Sequence, residues 1–128
     1  MEQLIYLDTH ATVWLYTDKL EKFPAKTLKL IENNPMRISP MVLLELGYLH
    51  EIGRLQDSGQ TVISVLKETL DLRICDLEHL KVIDAALELT WTRDPFDRII
   101  VAQAAVNQST LVTKDTLIRS HYPQTFWD

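Results

Sequence analysis

Short apolar runs alternate along this chain with longer stretches of helical spacing. Leu4 to Leu7 is continuous and predicts a strand covered on both faces in a parallel sheet, and Met36 to Ser39, Leu72 to Cys75 and Thr110 to Thr113 are three further short strand candidates. Thr125, Phe126 and Trp127 add a candidate edge strand near the end. Helical periodicity runs through His10 to Tyr16, Pro24 to Glu32, Met41 to Ile52, Val62 to Leu70, Leu77 to Leu89 and Arg93 to Ala105. Asn33-Asn34-Pro35 closes one of these helices and Gly53 stops another. Such an alternation predicts an α/β domain, three layers α/β/α around a central, mainly parallel sheet.

Two helices carry acid where apolar residues belong. In Arg93 to Ala105, at about 100° per residue, Asp97 shares a face with Ile100, Val101 and Ala104, while Ile99, Ala102 and Val106 cover the opposite side. A helix apolar on both sides is a core helix, and a carboxylate in its wall is costly unless something pairs with it. Asp94 before Pro95 is an N-cap followed by a first-position proline, and capping is sufficient to explain it. In Met41 to Ile52, Glu45 has Met41, Val42, Tyr48, Leu49 and Ile52 within about 60° of it, in the middle of the apolar face. A neutral carboxyl or a salt bridge to one arginine would be the plain explanation there.

Composition bounds the rest. At 128 residues and 46% hydrophobic content, residues 1–128 suit one domain with one sizeable core. The single Cys75 excludes an internal disulfide and a cysteine-rich zinc site, and suits a reducing cytosol. Glu2 and Asp8 bracket the first apolar run, which predicts neither signal peptide nor membrane span, hence a soluble cytoplasmic protein. His10, His50, His79 and His121 have no metal-ligand spacing. No phosphate-binding glycine loop or serine nucleophile elbow is present. A net charge of −5 argues against binding nucleic acid through simple basicity.

Acid gathered in one pocket changes that picture. Asp8 and Asp115 each follow a predicted strand, and open parallel sheets place ligands outside their strands' carboxyl ends. If Asp97 and Glu45 reach the same edge, four carboxylates meet without cysteine or histidine, a donor set that selects Mg²⁺ or Mn²⁺. Two such ions would bring the formal charge from −5 to about −1, compatible with a phosphodiester substrate. Arg93, Arg98, Lys114 and Arg119 are then candidate phosphate contacts.

Leu7-Asp8-Thr9-His10-Ala11, Ser39 with Leu44-Glu45-Leu46, Arg93-Asp94-Pro95-Phe96-Asp97-Arg98 leading into Ala102-Gln103-Ala104, and Leu111-Val112-Thr113-Lys114-Asp115 together resemble the PIN-domain family, and within it the VapC-type toxins of toxin–antitoxin pairs. The resemblance runs from about Leu4 to Trp127, and Asp-Pro-Phe-Asp-Arg is its most specific part. It implies a Mg²⁺- or Mn²⁺-dependent endoribonuclease whose metal and catalytic acids are Asp8, Glu45, Asp97 and Asp115. Thr9 and Thr113 match polar positions lining the site, Asp94 a further acid, and Arg98 closes the specific motif. It also implies a cognate antitoxin partner whose basic residue faces the acids. Trp14, Tyr16, Tyr48 and Trp91 are candidate interface rings for that partner or for a homodimer.

Two other readings use the same residues. A phosphotransfer or phosphatase site also places Asp after the first strand and Lys after a late one, but lacks the Asp-x-Asp pair, since the residue two after Asp8 is His10. A catalytically silent module would use the fold only to grip a partner. Intact acids at four positions speak against it.

Overall fold

The structure is a computed structural model and describes residues 3–128; Met1 and Glu2, and with them the acid read ahead of the first strand, lie outside the described residues. Five strands, β1 (Ile5–Leu7), β2 (Met36–Ile38), β3 (Arg73–Ile74), β4 (Thr110–Val112) and β5 (Thr125–Phe126), form one sheet in the order β3-β2-β1-β4-β5. Every pairing is parallel, so all strands end on one edge. The central strand is apolar and no residue of it is more than 3% exposed, as expected where helices cover both faces of a sheet. The α/β/α expectation is met.

Among the described residues seven α-helices fill the crossovers: α1 (Thr9–Tyr16), α2 (Ala25–Glu32), α3 (Pro40–Glu51), α4 (Gly59–Leu70), α5 (His79–Leu87), α6 (Pro95–Ala105) and α7 (Thr116–His121). Their starts follow local chemistry. Asp8, Ser39, Ser58, Asp94 and Asp115 each accept a backbone N–H of the first turn, satisfying donors that have no partner within the helix. Gly53 takes φ 79° just past α3, the left-handed stop expected of it. Gly59 lies so close to α3 that an added Cβ would stand 3.1 Å from the Leu43 carbonyl oxygen.

α7 spans Thr116–His121, a stretch to which the sequence pattern assigns no element, and one expectation needs correction. The apolar face ascribed to the helix of Glu45 is not one buried wall: Val42 and Leu46 are sealed in the core, whereas Tyr48 and Ile52 are 49% and 47% exposed. Glu45 therefore sits half-buried beside the core stripe, and water reduces the cost of its charge. α6 is as deep as read, burying Ile100, Val101, Ala102, Gln103 and Ala104.

Candidate active site

Register builds the centre of the site. Leu7 pairs with Val112 across β1 and β4, and Asp8 continues the ladder by donating its N–H to the Val112 carbonyl at 3.2 Å. The next side chains on each strand, Asp8 and Thr113, must then meet. The Thr113 hydroxyl donates to Asp8 Oδ2, while Asp8 Oδ1 accepts the Ala11 N–H at 2.9 Å as the cap of α1. Thr113 Oγ1 also accepts the Asp115 N–H at 3.1 Å. One fully buried hydroxyl thus fixes a carboxylate and the backbone carrying a second one.

Thr9 does the same for Glu45. Its hydroxyl donates to Glu45 Oε1 at 2.5 Å, tying the start of α1 to the second turn of α3. α3 is tied in turn to α6 through Ser39, whose hydroxyl donates to Gln103 Oε1 at 2.9 Å and accepts the Met41 N–H at 3.0 Å. Ser39 and Gln103 are both buried. The sequence pattern places these two in motifs without giving either a task; a buried amide needs a partner, and that is the signal available for them.

Electrostatics show that the acids share one neighbourhood. Asp97 is pushed up to about 6 from an ordinary 3.8, first by burial and then by the negative charges of Asp94, Asp115, Glu45 and Asp8. Asp8 is also raised, by burial above all, against the opposing bonds from Thr113 and Ala11. Asp97 therefore feels the other three expected acids and Asp8 feels Asp115, but the four do not close on a point. Among the described residues no group of three or more His, Cys, Asp or Glu side chains is gathered tightly enough to hold an ion as placed. The donor set, oxygen only and mutually repelling, fits a hard divalent cation rather than a soft one.

The neighbouring residues divide clearly. Asp94 caps α6, accepting the N–H groups of Phe96 and Asp97, so the capping role is real and its charge acts on Asp97 from there. The Arg98 guanidinium donates to the carbonyls of Ala86 and Leu87 at the end of α5. Arg119 donates to the Trp127 carbonyl at 3.4 Å. Asp8 and Asp115 open onto a cavity of 540 Å³ shared with His10, Trp14 and Lys114. Of the four rings expected at interfaces, Tyr48 alone is largely exposed; Tyr16 donates to Asp57 and Trp91 stacks on His121.

Known proteins share this fold. The chain is 27% identical to Ribonuclease VapC22 of Mycobacterium tuberculosis (strain ATCC 25618 / H37Rv), covering 96% of this chain and 98% of that one. Its fold matches the crystal structure of VapBC2 from Rickettsia felis bound to a DNA fragment from its promoter, with TM-score 0.69, 22% identity and coverage of 98% and 99%. VapBC-1 from nontypeable Haemophilus influenzae matches with TM-score 0.69 and 14% identity over 98% and 96% of the two chains. The PIN domain pattern itself matches residues 5–122, nearly the whole length, and the chain belongs to the PIN domain family.

Proposed function

We propose that this chain, as one PIN domain, is a Mg²⁺- or Mn²⁺-dependent endoribonuclease of the cytoplasm and the toxin of a VapBC-type pair. The observation that carries the reading is the set of acids Asp8, Glu45, Asp97 and Asp115 at the carboxyl edge of the sheet, two of them oriented by buried or half-buried threonine bonds. The likeness to a ribonuclease over 96% of the chain supports it.

Each residue has a task in that reading. Asp8, Glu45, Asp97 and Asp115 would hold the ion. Thr113 and Thr9 keep Asp8 and Glu45 aimed, as partners of metal-binding carboxylates do. Ser39 and Gln103 fix the spacing of the helices that carry Glu45 and Asp97. When bound, a hard divalent ion supplies polarisation of the phosphodiester and activation of water. No side-chain nucleophile is required, and both threonine hydroxyls are already committed to carboxylates.

The toxin role brings two partners besides RNA: a cognate antitoxin presenting a basic residue to the acids, and a second copy of the chain in a homodimer. The solved relatives are toxin–antitoxin complexes, which supports the first. The test is cleavage of RNA by the purified chain with Mg²⁺ and with chelator. Asp8→Asn, Glu45→Gln, Asp97→Asn and Asp115→Asn should each abolish cleavage while remaining folded, and Asp94→Asn should be milder because Asn caps a helix nearly as well. Cleavage that survives chelation, or full activity in Asp97→Asn, would overturn the assignment; absent cleavage by the unaltered chain would favour the silent binding module.

A further inference from the structure

One wall of the cavity beside Asp8 and Asp115 is not acidic. Trp14, partly exposed on α1, is braced from beneath by Phe23, edge-on at 6.0 Å, and by Trp127 at 5.8 Å. His10 leans on it at 5.9 Å. The Lys22 and Lys114 ammonium groups stand 5.7 and 5.9 Å from the ring centre. Both lysines are exposed, and among the described residues neither lies within salt-bridge distance of a carboxylate, although Lys114 directly precedes Asp115. Trp14 and Lys114 line the same cavity as Asp8 and Asp115, and Lys22 reaches the same indole from outside that lining.

Core packing accounts for Phe23 and Trp127, which hold the chain end against α1. It does not account for the lysines. A cation resting on a partly exposed ring is a weak contact, whereas a nucleobase stacked on the same ring is worth about twice as much or more. A base arriving there displaces the ammonium groups, and its own phosphates offer them stronger, charge-assisted bonds. The cavity of 540 Å³ lies within the range of about 300–1,000 Å³ that holds small ligands.

Resting on the ribonuclease reading and deepening it, we infer that Trp14 is a base-stacking subsite: an unpaired nucleotide flanking the phosphate to be cut lies on the indole while Lys22 and Lys114 transfer to the adjacent phosphates. Trp14 thereby sets where along a strand the acids act. A paired base cannot use the subsite, because its faces are covered by its neighbours in the duplex.

The test measures binding apart from cleavage. A fluorescein-labelled oligouridine of about eight nucleotides is titrated by anisotropy with Mg²⁺ onto Asp97→Asn protein, alone and combined with Trp14→Leu, Trp14→Phe, Lys22→Ala or Lys114→Ala. Trp14→Leu should weaken binding about 5- to 150-fold, and Trp14→Phe should recover most of it because a ring is restored. Each lysine change should lower the slope of log affinity against log salt by about 0.7, and blunt duplex RNA should be indifferent to Trp14. Unchanged affinity in Trp14→Leu of normal thermal stability overturns the subsite. So does a loss that Trp14→Phe fails to recover. If Trp14→Leu does not fold, unchanged salt slopes in both lysine variants overturn it instead. The two readings fail separately: no cleavage of RNA by the unaltered chain ends the ribonuclease while Trp14-dependent binding persists, and cleavage with the same KM in Trp14→Leu ends the subsite alone.

Discussion

Thr113 shows how much one hydroxyl can organise. Fully buried, it donates to Asp8 and accepts from the Asp115 backbone, so replacing it by valine leaves a buried carboxylate oxygen and an N–H without partners. Thr113→Val should cost about 1–3 kcal/mol and lower RNA cleavage by about 10- to 100-fold. Urea melts and initial rates would check it, and an unchanged rate would remove Thr113 from the site. Asp97 acts in the opposite sense. Its carboxyl titrates near 6 in the folded chain against an ordinary 3.8, so between those values the folded state keeps a proton that the unfolded state has released. That contribution is most favourable below about pH 4, falls as pH rises to about 6 and stays lost above. In chelator, Asp97→Asn should therefore gain about 1–2 kcal/mol at pH 7, a figure discounted for the partial exposure of Asp97, and gain little at pH 4. Equal effects at both pH values would mean that the carboxylate is not crowded.

Elements were legible where periodicity and caps agreed. β1 is buried at every residue, and a continuous apolar run is the signal such a strand leaves, while Ile38 of β2 and Leu111 and Val112 of β4 are buried beside a half-buried Arg37 and Thr110. The acids that follow them, Asp8 and Asp115, stand out because parallel strands all end at one edge. What stayed hidden has physical causes. α7 is six residues long, too short for a periodic signature, and Asp115 both caps it and stands in the site, so a single residue type carried two messages. The helical wheel of α3 placed Glu45 among apolar neighbours, but which of them are covered depends on what packs against α3. Leu44, Tyr48 and Ile52 remain exposed, something no single-helix pattern encodes. Nor does a wheel show that Gln103 crosses to Ser39. That bond joins α6 to α3 inside the core, and Gln103→Leu should leave the buried Ser39 O–H without an acceptor, at a cost of about 1–3 kcal/mol. Because the bond sets the spacing of Asp97 and Glu45, cleavage should fall further than the stability loss accounts for; a rate that simply follows the folded fraction would leave Gln103 a core residue only.

At the scale of the whole molecule, charge links metal, substrate and partner. A chain of net charge −5 with its acids pooled at one edge repels RNA until cations neutralise that edge. An ion held by these acids, as proposed, would also stabilise the fold: at a concentration of 100 times its dissociation constant, Mg²⁺ should stabilise the chain by about 2.7 kcal/mol, and Asp8→Asn should lose most of that gain. The proposed antitoxin enters the same balance. A lysine or arginine placed among Asp8, Asp97 and Asp115 relieves the repulsion that raises Asp97, as an ion would, so the two compete for one set of oxygens. The exposed Leu44, Tyr48 and Ile52 on α3 give a protein partner apolar surface that metal does not touch, so the complex should loosen at its basic residue before it separates. Inhibition should weaken as Mg²⁺ rises, while co-purification of the partner persists to higher Mg²⁺ than inhibition does. Co-expression with the product of the neighbouring reading frame, followed by cleavage and pull-down across a Mg²⁺ series, measures both. Inhibition insensitive to Mg²⁺ would place the partner away from the acids, and a chain that restrains growth no more when expressed alone than with its neighbour would leave a free-standing nuclease.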